Sequence, residues 1–331
     1  LSTGIKVGYS LGTLLSIDEI LRFSRLSNRY ESVHSLWVPE TWGREALSTL
    51  GAISQLAIRP QIGTAILNIY SRTPSAVAMG GVTLDLLSGN RTILGLGAST
   101  QPIIEGWHGI AFEKPVARMR EFLMILRLIW TGEPVVFKGK FFNISNFKIL
   151  QSPARSTIPV YLSAVNPLMI ELALSIADGI LLYMRPFEEL KQTVQRIRNV
   201  LARPFELASV FICSISNKDP DKARTRAART VAFYVSVGMY YRRLISDSGF
   251  SDEVEAIVNE YNKGGLDAAS AAVSDYLLDE LAICGDSEDG RQKLRRFVSA
   301  GITLPILQVN PSGAEEPEKT LITLLETFSN E

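Results

Sequence analysis

Short apolar runs alternate with longer stretches of helical periodicity along most of the chain. Ile5–Tyr9 reads as a first strand. Ser16 and Glu19 then form a capping box, which opens a helix to about Asn28. Val33–Val38 is a second strand, followed by a helix over about Glu45–Ala57. Gln61–Ile66 is a third strand, and Pro74 suits the first turn of a helix that runs to about Leu87. Arg91–Leu96 is the fourth strand. A long loop follows it, then a helix over about Val116–Trp130. Glu133–Leu150 reads as an inserted hairpin. Val160–Ser163, Gly179–Tyr183, Leu207–Ile215 and Thr303–Val309 complete the strands, with helices over Pro167–Ala177, Phe187–Leu201 and about Gly290–Ala300.

This gives about eight short strands, nearly all followed by helices and apolar throughout, as expected when both faces of a parallel sheet are covered. The pattern predicts an α/β fold, a (β/α)8 TIM barrel with insertions. A doubly wound sheet would want a phosphate loop straight after the first strand, and Tyr9–Leu15 holds only one glycine. No repeat or linker is visible, so the expectation is one domain over 1–331. Helices over about 219–276 read as an insertion that covers the barrel mouth or makes subunit contacts.

Composition narrows the partners. The 331 residues are 46% hydrophobic, and 34 basic residues balance 34 acidic ones. A neutral chain without a basic block argues against nucleic acid or an anionic membrane surface. No apolar run nears the roughly 18 residues that span a bilayer. The start, LSTGIKVGYS, lacks the pattern of a signal peptide. Cys213 and Cys284 are isolated in sequence and suit a reducing, cytoplasmic setting. The only histidines, His34 and His108, cannot build a histidine-rich metal centre, so no metal is expected. No nucleophile elbow, Walker loop or C-x-x-C is present.

In a barrel, chemistry sits where strands end. The third strand ends in the small residues Gly63, Thr64 and Ala65, followed by Asn68, Tyr70 and Arg72. Glu40 follows the second strand beside Trp42, either as a catalytic acid or as a solvated loop carboxylate. Gly95 and Gly97 precede Ala98 and would let a flat ligand lie against the backbone. Trp107 and His108 adjoin in the long loop, His108 as a base or as a structural hydrogen-bonder. Ser163, Ala164, Val165 and Asn166 lead into Pro167, a helix start that serves as a plain cap or as an anion cradle. Arg185 could pair with a phosphate or carboxylate. Small residues, aromatics, one acid and an anion cradle suit a flat, phosphate-bearing redox cofactor better than hydrolysis.

Six segments carry a resemblance: KVGYS at 6–10, WVPETWG at 37–43, IGTAILNIYSRTP at 62–74, LDLLSGNRTILGLG at 84–97, EGWHGIAFEKP at 105–115 and IPVYLSAVNPLMIELALSIADGI at 158–180. Together they resemble the bacterial-luciferase-like superfamily of (β/α)8 barrels, and most closely its coenzyme F420-dependent branch, which includes methylenetetrahydromethanopterin reductase. The resemblance implies an oxidoreductase that transfers a hydride between the deazaflavin and a small organic substrate. It implies a cis peptide or bulge at Ala65–Ile66 behind the cofactor ring, with Asn68 at the ring's polar edge. Gly97 and Ala98 would lie beside the cofactor, and Ser163–Asn166 would hold its phosphate. The substrate would lie near Trp42 and Trp107. A homodimer is implied by analogy.

Three positions depart from the branch: Thr41 stands where its dehydrogenases carry histidine, Gly8 where its reductases carry glutamate, and Thr100 where its sugar-phosphate dehydrogenases carry an acid. Either Glu40, the best-placed carboxylate left, carries the proton with His108 as partner, or the substrate needs little proton help, as with hydride delivery to an activated C=N or C=C bond. An FMN-dependent monooxygenase of the same barrel is the alternative, and a homologue that binds a cofactor without catalysis is a third reading.

Overall fold

The apolar runs fold as strands because helices cover their outer faces and their inner side chains fill the barrel, so few positions along them meet water. The computed structural model describes residues 4–329. The barrel strands are β1 (Val7–Ser10), β2 (Val33–Val38), β3 (Gln61–Thr64), β4 (Thr92–Gly97), β5 (Val160–Ser163), β6 (Gly179–Tyr183), β7 (Glu206–Ile215) and β8 (Leu304–Val309). They form a closed 8-strand parallel barrel. β1 closes on β8 with Gly8 beside Ile306, and β7 lies along β8 with Ala208 beside Leu304. The TIM-barrel expectation is met, and every strand delivers its C-terminal end to the same rim.

Contacts divide the chain into two units, residues 37–181 and the remainder. Within 37–181, α2 (Ala46–Leu56), α3 (Pro74–Ser88), α4 (Gln101–Gly106), α5 (Pro115–Trp130) and α6 (Pro167–Ile176) follow their strands. Thr73 caps α3, with Pro74 as its first residue and left-handed Gly89 after its end. The inserted hairpin is present as Val135–Lys138 against Asn143–Phe147. Its turn is held by Glu121 of α5, which accepts from the amides of Lys140 at 2.7 Å and Phe141 at 2.9 Å. The long loop after β4 differs from expectation: it holds the short helix α4, with Pro102 in its first turn.

In the remaining unit, the capping box of Ser16 and Glu19 opens α1 (Ile17–Leu26). The expected insertion is helical. α7 (Phe187–Val200) precedes β7, and the insertion after it comprises α8 (Pro220–Val237), α9 (Met239–Ile245), α10 (Ser251–Ala271) and α11 (Asp275–Leu281). α8 and α10 bury Ala227, Val231 and Val235 with Val254 and Ile257. One strand had no counterpart in the expected pattern. Ala282–Gly285 leaves α11 without a loop and pairs with the end of β7, Cys213 beside Ile283. Among the described residues no helix is long and apolar enough to cross a membrane, and no group of three or more His, Cys, Asp or Glu could hold a metal ion.

Candidate functional site

The end of β3 is built from interlocked small residues. Gly63 has no side chain because the Trp37 ring fills that space: a Cβ there would lie 2.5 Å from it. The amide of Ala65 donates to Val38 O at 3.0 Å. The Ala65–Ile66 peptide is cis. Pairing with β4 then resumes with a shift. Gly63 lies beside Ile93 but Leu67 beside Leu96, so four steps on one strand match three on the other, the signature of a bulge. A Cβ on Gly97 would lie 2.8 Å from the Ile66 side chain and 3.4 Å from Ser163 Cβ. Ile66, Gly97 and Ser163 therefore meet at three strand ends. Ala98 follows, half-buried, before Ser99 in the left-handed region (φ 60°). The glycine pair also has a packing reason of its own. The chain itself takes the space, through the Thr64 carbonyl at Gly95 and Ile66 at Gly97.

Asn68 is buried, at 4% exposure. Its Oδ1 accepts from the amides of Ser71 at 2.8 Å and Tyr70 at 3.1 Å. Two donors on one oxygen fix which way the amide points. Its Nδ2 then faces away, with no hydrogen-bond partner among the described residues.

At the end of β5, Ala164 N donates to Leu181 O at 3.3 Å, and Asn166 caps α6 by accepting from Met169 N at 3.0 Å. Val165 lies between them at a bend. Pro167 is the first helical residue, and no acid sits in the first turn. The Ser163 hydroxyl makes no hydrogen bond among the described residues.

A groove of about 500 Å³ is lined among others by Glu40, Trp42, Glu45, Arg72 and His108. Glu40 is held on both oxygens. Arg72 Nε donates to Oε1 at 3.3 Å and Arg72 Nη2 to Oε2 at 3.0 Å, while Ala46 N donates to Oε2 at 2.8 Å. Arg72 also pairs with Glu45. Burial alone would raise the Glu45 carboxyl, but hydrogen bonds from Ser48 and the Leu47 amide, with the Arg72 charge, bring it below its ordinary range. Burial likewise opposes the charge on Arg72, yet its bonds to Glu40 and Glu45 raise the guanidinium further. Trp42 and Trp107 pack edge to face, centroids 5.5 Å apart at 87°, each 57% exposed. The His108 imidazole is exposed and makes no hydrogen bond among the described residues.

A family model described as luciferase-like monooxygenase matches residues 5–304. The chain belongs to that family. Among its relatives in the luciferase-like family, a Mycobacterium tuberculosis protein named as a coenzyme F420-dependent oxidoreductase is 29% identical, over 88% of this chain and 90% of its own. The 5,10-methylenetetrahydromethanopterin reductase of Archaeoglobus fulgidus is 28% identical, over 85% and 86%. The fold matches the coenzyme F420-dependent tetrahydromethanopterin reductase of Methanopyrus kandleri with a TM-score of 0.85 at 21% identity, covering 98% of both chains.

Within this luciferase-like barrel, residues 37–181 bring together Ile66, Gly97 and Ser163 by contact, and Glu40, Trp42 and His108 in one groove. Arg185 is placed otherwise. It is 4% exposed, and its Nη1 donates to both oxygens of Glu189 at 2.7 Å, along α7. The expected substrate contact is thus a buried ion pair in the other unit. Glu45 was not read from the sequence as a site residue, and Arg72 only as a polar group following the third strand. The available signals were a lone cation in the loop after β3 and an acid at the start of an apolar helix.

Proposed function

We propose that the protein is an oxidoreductase that binds coenzyme F420 at residues 37–181 and passes a hydride between it and a small organic substrate. Asn68 carries this reading. Its Oδ1 is fixed by two backbone amides, which leaves its Nδ2 free to donate to a ligand, and the polar edge of a deazaflavin ring offers an acceptor. It stands beside the cis Ala65–Ile66 peptide and the Ile66–Gly97–Ser163 contact. A relative that matches most of this chain is named as a coenzyme F420-dependent oxidoreductase, which supports F420 over FMN.

When bound, the deazaflavin supplies two-electron hydride chemistry at its ring. Ala65 and Ile66 would back that ring, Asn68 would donate to its edge, and Gly97 and Ala98 would flank it. Ser163, Ala164, Val165 and Asn166 would hold the phosphate at the N-terminus of α6, where the helix dipole favours an anion. Trp42 and Trp107 wall the substrate. Glu40 already accepts three hydrogen bonds and orients the substrate, while His108, with its unengaged imidazole, carries the proton.

The family's monooxygenase name makes FMN the second reading. The test is to titrate the purified protein separately with coenzyme F420 and FMN, by fluorescence and absorbance. Turnover is then followed with reduced F420 across cyclic imines, activated alkenes and ketones. Saturable F420 binding and reoxidation support the proposal. Tight FMN binding with no response to F420 overturns it.

A further inference from the structure

We infer that Arg72 is a positioning residue of this site: a single guanidinium fixes the segment that carries Glu40 and Trp42. The inference rests on reading residues 37–181 as the hydride-transfer site.

Arg72 follows Asn68 by four positions and reaches back to the loop after β2. Its fork holds Glu40 through Nε and Nη2. The same Nη2 donates to Glu45. Both carboxylates also meet the start of α2. Glu40 accepts from Ala46 N at 2.8 Å, and Glu45 from Leu47 N at 3.1 Å and Ser48 N at 2.6 Å. Those are orphan amides that every helix leaves at its N-terminus. Two acids there would repel each other, and Arg72 supplies the intervening positive charge. The Glu40 and Arg72 side chains are 14% and 25% exposed, so the pair is partly shielded from water.

Thr41, Trp42, Gly43 and Arg44 lie between the two acids, so Arg72 pins this segment at both ends. Trp42 is the outward-facing part of the segment, and its indole packs on Trp107 of the next loop. Arg72 thereby sets both the angle of Glu40 in the groove and the place of the indole wall. Lysine would keep the charge but not the two-nitrogen hold on Glu40.

Trp37 and Trp130 are buried, at 0% and 4% exposure, so collisional quenching of tryptophan emission reports Trp42 and Trp107. In a Trp107→Phe background it reports Trp42. The experiment compares Arg72→Met and Arg72→Lys in that background, by acrylamide quenching, emission maximum, thermal midpoint and coenzyme F420 affinity. Arg72→Met is expected to increase quenching of Trp42 and shift its emission to the red. Arg72→Lys should recover the thermal midpoint but not the Trp42 signature. Unchanged Trp42 quenching in Arg72→Met overturns the inference, as does full recovery of the signature by lysine. Should Arg72→Met fail to fold, Arg72→Lys alone gives the same reading. A parent protein that binds no F420 while the variants show the Trp42 signature refutes the cofactor reading and leaves Arg72 as positioner.

Discussion

Thr64 and Gly95 exchange two hydrogen bonds between adjacent strands: Gly95 N donates to Thr64 Oγ1 at 2.9 Å, and Thr64 Oγ1 donates to Gly95 O at 2.8 Å. The hydroxyl replaces ladder bonds at the place where β3 bulges. A Cβ on Gly95 would lie 1.9 Å from Thr64 O and 2.7 Å from Leu181 Cδ1. Backbone cannot yield as a side chain can. Gly95→Ala should cost about 3 kcal/mol or more. Gly51→Ala, inside α2 with nothing within 4 Å, should instead gain roughly 0.5–1 kcal/mol. Urea denaturation of the two variants gives opposite signs, and equal signs would refute the packing argument.

Asp85 and Arg155 form the most one-sided ion pair of this unit. The Asp85 side chain is 1% exposed and that of Arg155 is 29%. Arg155 donates to Asp85 at 3.0 and 2.6 Å, and Thr92 N adds a bond at 3.2 Å. Arg155→Met leaves a buried carboxylate without its cation and should cost about 3–5 kcal/mol. Adding Asp85→Leu should restore much of that loss, because the stranded charge is gone. A double variant as unstable as the single one would contradict this.

Glu45 should give the protein an acid-sensitive element. Its carboxyl lies below its ordinary value of about 4.5 in the folded chain, so the unfolded chain binds more protons as pH falls through that value. The stabilisation is present at neutral pH, begins to fade below about pH 4.5 and is lost as pH falls through the folded value. Its size is damped because the side chain is 41% exposed. Thermal midpoints of the parent and Glu45→Gln should differ near neutrality and converge in acid. A gap that stays constant with pH would assign the effect to packing.

Asn68→Ala should weaken coenzyme F420 binding about tenfold, the worth of one hydrogen bond of about 1.4 kcal/mol. It should also loosen the turn that Tyr70 and Ser71 close on Oδ1. Asn68→Asp keeps that acceptor and replaces the donor, so fluorescence titration of the two variants separates turn from ligand. Equal affinity of Asn68→Asp and the parent would remove the Nδ2 contact.

Much of the fold was legible because its strands are bounded by turn chemistry. Val160–Ser163 ends at a small residue and a capped helix, and Gly179–Tyr183 begins at a glycine; both bounds match the structure. Ala282–Gly285 was not legible, since it continues the apolar run of α11 with no turn residue between. The residues at the end of β3 could be read from local sequence. The Arg72–Glu40 bond joins residues 32 apart, and no local pattern reports which acid a cation will choose. For the same reason Arg185 read as available, when Glu189 one helical turn on takes its charge.

The packing of Trp37 against Gly63 has a counterpart on its other side, where Tyr161 lies 5.9 Å away between ring centroids. One indole thus occupies room shared by residues of three strands, β2, β3 and β5. A smaller ring at 37 would release the glycine at 63, and a side chain at 63 would demand that smaller ring. Gly63 and Tyr161 lie in the strands that lead to Ile66 and Ser163, so the size of this one side chain bears on how the residues beneath that end of the barrel pack.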